Sequence, residues 1–362
     1  MMGVTGSVIA WLPDLIPMEM TWRFPHEKSS PDAPQISVSQ AISAMQRAHP
    51  DTKPDELAML LTPSERFPFY FFFREKPLEG SMYLVDPYSG KVNSPMRVED
   101  FYIGWVAHFH ANLLWDAKGL IANGVGSFFA LLLLVSGLWL WWPSTWNQLK
   151  LRLTLKKGAP LKRRILDLHN VMGIYLYGIV FLVTLTGVVL ALNSSTSEGV
   201  KKAIDRRAGA SEEKSLIVKP RGARLPDDKL VQLAKSANAK YELQSVRRHM
   251  KADAPFVANF GREHAGFLAG SQVEIDPYSG RVLRVQRDAT ASPGHKFMTL
   301  MHDLHFGTFG GTLSKLIYTL AGLMPSGLFI TGLWMWWNKK KRKSATRVHS
   351  QNVEKLEEAV VA

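Results

Sequence analysis

His110-Ala-Asn-Leu-Leu-Trp115 begins a stretch that occurs twice in this 362-residue chain. The first copy continues through an uncharged apolar segment to Ser136-Gly-Leu-Trp-Leu-Trp-Trp142. The second copy runs from His305-Phe-Gly-Thr-Phe-Gly310 to Thr331-Gly-Leu-Trp-Met-Trp-Trp337. In both copies the glycine of the closing motif lies 27 residues after the histidine, from 110 to 137 and from 305 to 332. The duplication indicates an internal repeat built on membrane helices.

Apolar segments at residues 120–142, 168–192 and 316–337 are predicted to be full membrane spans, because about 20 apolar residues cross a bilayer. Residues 1–12 are apolar but too few. Residues 4–11 resemble residues 185–192, the end of a later span. We therefore expect residues 1–12 to be the end of a first, truncated membrane helix, of which the sequence begins partway.

The positions of the basic residues predict how the spans are oriented in the membrane. Residues 147–164 carry seven Lys or Arg and no Asp or Glu, and residues 339–343 read Lys-Lys-Lys-Arg-Lys. Basic segments beside spans are typical of the cytoplasmic side. The loop 143–167 and the tail 338–362 are therefore predicted to be cytoplasmic, and segments 13–119 and 193–315 to be periplasmic in a bacterial inner membrane. The net charge of +13 is explained by this topology, so we expect a lipid bilayer and no nucleic acid as partner.

The two outer segments have the pattern of small α+β modules. Each contains the sequence Asp-Pro-Tyr-Ser-Gly, at 86–90 and at 276–280. Its Asp, Pro and Gly favour a turn after a strand. Ser37 and Gln40 predict a capping box at the start of a helix. A second helix is predicted at 225–237, and strands are predicted at 57–62, 69–73, 81–85, 256–260 and 271–275.

Histidines near the spans are the candidate functional residues. His110 and His305 occupy equivalent positions 195 residues apart, at one depth on the outer side, and two such imidazoles suit axial ligation of a haem iron. His169 lies at the other end of a span, where an ionisable group is costly and usually functional. His108 and His302 are alternatives, although they do not align at this offset. On spacing alone, a structural role for these histidines is an equally good interpretation.

The amino-acid composition excludes several classes of cofactor. The chain has no cysteine, which excludes disulfides, thiolate metal sites and covalently attached haem. Gly173 and Gly178 follow His169 and remove side-chain bulk, so we expect a flat cofactor to approach the helix there. A partner histidine for His169 projects to a position before residue 1, so a second haem has one visible ligand.

The whole chain resembles PepSY-associated transmembrane proteins, also called iron-regulated membrane proteins. The resemblance rests on Leu168-His169-Asn-Val-Met-Gly173, Thr186-Gly187, the two Asp-Pro-Tyr-Ser-Gly turns, Leu304-His305 and the Gly-Leu-x-x-Trp-Trp ends. It implies a membrane helical bundle with two small PepSY-like periplasmic modules and a pseudo-twofold repeat. Members with four spans include inner-membrane ferric-siderophore reductases with two b-type haems between the helices.

By this resemblance, His110, His169 and His305 are expected to ligate one or two haems b. The implied function is electron transfer from an unknown electron donor across the membrane to a periplasmic ferric siderophore. The alternative is a PepSY membrane protein without redox chemistry that binds a peptide or protease, or serves as an accessory subunit in iron uptake.

Overall fold

The structure is a computed structural model. It describes residues 1–27, 33–50, 57–63, 68–74, 82–93, 95–196, 198–210, 216–247, 252–261 and 270–361. The helices are α1 Met2–Ile9, α2 Leu12–Arg23, α3 Val38–Ala48, α4 Tyr102–Asn112, α5 Asp116–Trp141, α6 Trp146–Arg152, α7 Leu161–Tyr175, α8 Tyr177–Ser195, α9 Gly199–Arg207, α10 Asp227–Ala237, α11 Pro293–Phe306 and α12 Gly311–Val361. The strands are β1 Leu57–Leu61, β2 Tyr70–Arg74, β3 Met82–Val85, β4 Glu242–Arg247, β5 Phe256–Gly261, β6 Ser271–Ile275 and β7 Val282–Arg287.

The segments 13–119 and 193–315 contribute strands to one antiparallel sheet. Its strand order is β3-β2-β1-β4-β5-β6-β7, and β1 pairs with β4 so that Leu60 lies opposite Val246. The sequence predicts two separate small modules, and this differs from the observed continuous sheet. Pairing through β1 and β4 covers two strands that would otherwise be exposed edges. The sheet therefore ties the first half of the chain to the second.

Helices α3 and α10 cover one face of this sheet. Their apolar residues, including Met45 and Leu230, form one core with Phe72, Phe256 and Ile275. All five side chains are at least 98% buried. Burying a side chain of this size contributes about 1.5–3 kcal/mol. The capping box predicted for α3 is confirmed, with the Ser37 hydroxyl accepting from the Gln40 amide at 3.2 Å.

The predicted turn at 86–90 is confirmed, and its carboxylate is buried. Gly90 adopts a φ of +72°, which favours glycine. Burial by itself raises the pKa of Asp86, but hydrogen bonds from Ser89, His26 and Tyr88 outweigh it and lower this pKa below its ordinary value. The His26 Nδ1 atom lies 2.8 Å from the Asp86 carboxylate. The Asp86 carboxylate therefore stabilises the turn, and its hydrogen bonds keep it ionised although it is buried.

Three helical segments, Asp116–Trp141, Tyr177–Ser195 and Gly311–Asn338, are long and apolar enough to cross a membrane. They correspond to the three predicted spans and support a multi-pass membrane protein. The predicted span 168–192 is divided at Leu176, where α7 ends and α8 begins. Glycines at 173 and 178 flank this break, and glycine lowers the stability of a helix interior.

Small residues bring α1 against α12. The Ser7 hydroxyl oxygen lies 2.9 Å from the Thr319 carbonyl oxygen and 3.0 Å from the Gly3 carbonyl oxygen, so its one hydrogen lies between these two acceptors. A Cβ atom on Gly322 would lie 2.6 Å from the Gly3 carbonyl oxygen. Glycine at these positions lets the backbones approach closely, as is usual between membrane helices. The position of α1 is thus fixed by contacts that leave no room for a side chain.

Candidate functional site

His110 and His305 lie next to each other. His110 is on α4 and His305 on α11, and their ring centroids are 6.3 Å apart with the ring planes inclined by 49°. The sequence relates these two histidines through the repeat, and the structure brings them together. The pair lies where α4 and α11 meet α1 and the candidate membrane helix α8.

Each histidine of this pair contacts a neighbouring helix at a Thr-Gly dipeptide. His110 Nδ1 lies 2.9 Å from the Thr5 hydroxyl of α1. His305 Nδ1 lies 3.1 Å from the Thr186 hydroxyl of α8 and 3.0 Å from the Val183 carbonyl oxygen. These hydrogen bonds hold each ring by the same nitrogen, Nδ1.

The glycine after each threonine makes room for the ring. A Cβ atom on Gly6 would be 3.2 Å from His110 Cε1, and one on Gly187 would be 3.1 Å from His305 Cε1. Both distances are shorter than an ordinary carbon–carbon contact of about 3.5–4.0 Å. Each ring therefore lies directly on the backbone of the neighbouring helix.

His169 makes the same kind of threonine contact at a separate place, with a looser contact to the glycine. Its Nδ1 lies 2.7 Å from the Thr331 hydroxyl of α12, and a Cβ on Gly332 would be 3.7 Å from its Cε1. Thr331 lies 13 residues after Tyr318, whose hydroxyl contacts the end of α11 beside His305. Since a helix rises about 1.5 Å per residue, this places His169 about 20 Å further along α12 than the histidine pair.

The ends of the two histidine-bearing helices are fixed in matching ways. The Asn123 side chain of α5 donates to the His110 carbonyl at 2.6 Å. The Tyr318 hydroxyl of α12 donates to the Leu304 carbonyl at 2.5 Å. Asn123 and Tyr318 are 195 residues apart, the offset of the two histidines. A side chain from each following helix thus holds the last turn of the histidine helix.

The alternative histidines have other contacts. The His108 Nδ1 atom contacts the Glu99 carboxylate, and its Nε2 atom lies 3.7 Å from the Asp116 carboxylate. His302 stacks on Phe306 with ring centroids 4.3 Å apart. The rings that lie next to each other at 6.3 Å are those of the pair that aligns in the repeat, His110 and His305.

Gly173, near which a cofactor is expected to approach, packs against α12. A Cβ on Gly173 would lie 3.8 Å from a methyl carbon of Leu328 in α12. Gly173 therefore lies in a helix–helix contact. Gly178 has no described atom within 4 Å of the corresponding position.

Ser136-Gly137 is the sequence counterpart of Thr331-Gly332. The Ser136 hydroxyl donates to the Leu133 carbonyl of its own helix at 3.2 Å. No atom of the described residues lies within 4 Å of a Cβ built on Gly137. Within the described part of the chain, this pair therefore lacks the imidazole contact that its counterpart makes.

The spacing of His110 and His305 fits two axial ligands of one metal ion. Imidazole–metal bonds of about 2 Å on opposite sides of an ion place the ring centroids roughly 6 Å apart. Within the described residues, no group of three or more His, Asp or Glu is placed to hold a metal ion. A haem iron needs only two protein ligands, because the macrocycle supplies the others. The residues present fit that requirement.

The contacts between the histidines and the threonines are the part of the site that the sequence does not predict. The chain contains three Thr-Gly dipeptides, and each of them contacts one of the three predicted histidines. The signal was present in the sequence as Thr5-Gly6, Thr186-Gly187 and Thr331-Gly332. It could be interpreted only after the helices that pack together were known.

Comparison with curated proteins gives no match. Residues 1–339 match the model of the PepSY-associated TM region, which covers both the membrane helices and the sheet. The match agrees with the resemblance found in the sequence and with a multi-pass membrane protein. This chain belongs to the PepSY-associated transmembrane family.

Proposed function

We propose that the chain is an inner-membrane b-type haem protein that moves electrons across the membrane and reduces a ferric siderophore on the periplasmic side. The observation that carries the proposal is the pairing of His110 with His305 at a ring separation of 6.3 Å. Each ring is held through Nδ1, which leaves Nε2 as the nitrogen for a metal. A haem bound there would supply one-electron transfer at iron.

His169 supports an electron path rather than a single isolated site. It lies about 20 Å along α12 from the pair and is held by the same kind of threonine contact, at 2.7 Å. A second haem ligated by His169 would lie nearer the basic cytoplasmic loops. An electron donor on that side would reduce it, and electrons would then pass to the outer pair.

Reduction suits the release of iron from a chelate. Siderophores bind Fe(III) mainly through hard oxygen donors, and the softer Fe(II) ion is held far more weakly by such ligands. The sheet domain lies on the same side as the histidine pair. It is therefore the part of the chain that would receive the ferric chelate.

Haem binding by the purified chain tests this proposal. We expect a Soret band after expression with haem supply, and a loss of the outer haem in the variant His110→Ala/His305→Ala. The matched control is His108→Ala/His302→Ala, which changes histidines on the same two helices and should keep the haem. Full loading of the first variant would contradict the proposal.

The alternative function is a PepSY membrane protein that binds a peptide or protease, or assists iron uptake, without a cofactor. It predicts a colourless protein whose variants at His110 and His305 behave like the wild type. A ferric-siderophore reduction assay in proteoliposomes separates the two functions further. An electron donor is enclosed in the vesicles, and an external Fe(II)-specific dye reports the product.

A further inference from the structure

We propose that the three Thr-Gly dipeptides fix the tautomer of the histidines they contact, so that each imidazole carries its proton on Nδ1 and presents the Nε2 lone pair. Thr5, Thr186 and Thr331 would then be positioning residues for His110, His305 and His169. The tautomer follows from hydrogen bonding alone. Its use in metal binding rests on the proposed function.

The hydroxyl group of each threonine has one hydrogen, and a carbonyl oxygen of its own helix accepts it. Thr331 Oγ1 lies 2.7 Å from the Gly327 carbonyl oxygen, and Thr186 Oγ1 lies 2.9 Å from that of Leu182. Thr5 Oγ1 lies 3.1 Å from the Met2 carbonyl oxygen. A threonine within a helix commonly donates in this way to a carbonyl three or four residues earlier.

A hydroxyl that donates to its own helix can only accept from the imidazole. The hydrogen of the contact must therefore come from the ring, which places it on Nδ1. His305 gives independent support, because its Nδ1 also lies 3.0 Å from the Val183 carbonyl oxygen. A carbonyl oxygen has no hydrogen to donate, so Nδ1 of His305 must be the donor.

The glycine of two of the dipeptides, Gly6 and Gly187, lets the ring lie close to the neighbouring helix. A Cβ atom on Gly6 or Gly187 would lie 3.2 Å or 3.1 Å from Cε1 of His110 or His305, so a larger residue there would have to displace the ring by a few tenths of an ångström. The hydroxyl thus sets which nitrogen is protonated, and at His110 and His305 the glycine sets how closely the ring approaches the helix. A partner that holds the other nitrogen of a metal-ligating histidine typically changes metal affinity by about 10–100-fold when it is removed.

The tautomers can be measured without any haem. The apo protein is labelled with ¹⁵N-histidine, placed in detergent micelles at mildly alkaline pH and studied by long-range ¹H–¹⁵N correlation. Single His→Gln substitutions assign the three signals. We expect His110, His169 and His305 each to give the pattern of a single Nδ1–H form. An Nε2–H form at any of the three in the wild type would overturn the inference.

Variants of Thr331 test the cause of the tautomer. Thr331→Val removes the acceptor of His169 and should replace its single form by a mixture, whereas Thr331→Ser keeps the hydroxyl and should restore the wild-type pattern. Thr184→Val is the matched control, because the Thr184 hydroxyl donates to the Val180 carbonyl of its own helix at 2.7 Å. An unchanged His169 pattern in Thr331→Val would overturn the inference.

These results are separable from the proposed function. A chain with the predicted tautomers that binds no haem would contradict the haem proposal alone. A chain that binds haem but shows Nε2–H forms in the apo state would contradict the role of the threonines alone.

Discussion

Alanine at Gly322 is expected to push α1 away from α12. A Cβ atom there would lie 2.6 Å from the Gly3 carbonyl oxygen, 3.3 Å from the Ser7 amide nitrogen and closer still to the Ser7 hydroxyl. Since ordinary contacts are about 3.5 Å, α1 must move by roughly 1 Å. Overpacking of this kind costs about 1–3 kcal/mol.

The matched control is Gly178→Ala on α8, where no described atom lies within 4 Å of the new methyl group. Both substitutions replace glycine by a better helix former, a gain of about 1 kcal/mol. The difference between them therefore reports the overpacking. Thermal unfolding in detergent, followed by tryptophan fluorescence, should give an apparent midpoint for Gly322→Ala roughly 2–10 °C below that of the control.

Equal midpoints for Gly322→Ala and Gly178→Ala would refute the close contact between α1 and α12. The contact also concerns the site, because α1 carries Thr5 and Gly6 beneath His110. The Gly322 variant should therefore also retain less haem than the wild type during purification.

Three further predictions concern the sheet and the membrane boundary. The pKa of Asp86 is lowered in the folded state, so the stability that its carboxylate contributes is present above the unfolded pKa and is lost as the pH falls through the folded pKa. The variant Asp86→Asn should therefore show a smaller fall of the unfolding midpoint at acidic pH than the wild type. An unchanged fall would exclude this role of Asp86. Lys315 is 97% buried and pairs with Asp14 at 2.5 Å. The variant Asp14→Asn leaves the buried Lys315 charge unpaired, so it should lower the unfolding midpoint more than Lys315→Met, which removes that charge. The reverse order of the two midpoints would contradict the pairing. The variant Gly280→Ala should destabilise the protein more than Gly90→Ala. Both glycines have positive φ, but a Cβ on Gly280 would lie 3.0 Å from a neighbouring methyl carbon, whereas a Cβ on Gly90 would lie 3.6 Å from one. Equal denaturation midpoints would show that backbone strain alone determines the loss of stability.

Local features of the fold could be predicted from the sequence. The capping box of α3, the Asp-Pro-Tyr-Ser-Gly turns and the three long apolar helices each depend on residues close together in the chain. The pairing of β1 with β4 could not be predicted, because the paired residues are 184–188 positions apart and the strand pattern does not specify a distant neighbour. The break at Leu176 was also missed, since uniform apolar composition hides the end of one helix and the start of another.

The candidate site was predicted in part. Equivalent positions in the repeat identified His110 and His305 as a pair, and the structure places their rings 6.3 Å apart. The role of Thr186 could not be seen, because it depends on α11 packing on α8 more than 100 residues away. Gly173 was interpreted as space for a cofactor, although a glycine in a membrane helix serves close helix packing equally well.

The absorbance spectrum of the purified chain, oxidised and then reduced with dithionite, tests the central claim most directly. We predict a Soret band in the oxidised protein and sharp low-spin bands on reduction. An added ferric siderophore should reoxidise the haem, so that the bands of the reduced form disappear. A colourless protein after expression with haem supply would contradict the account.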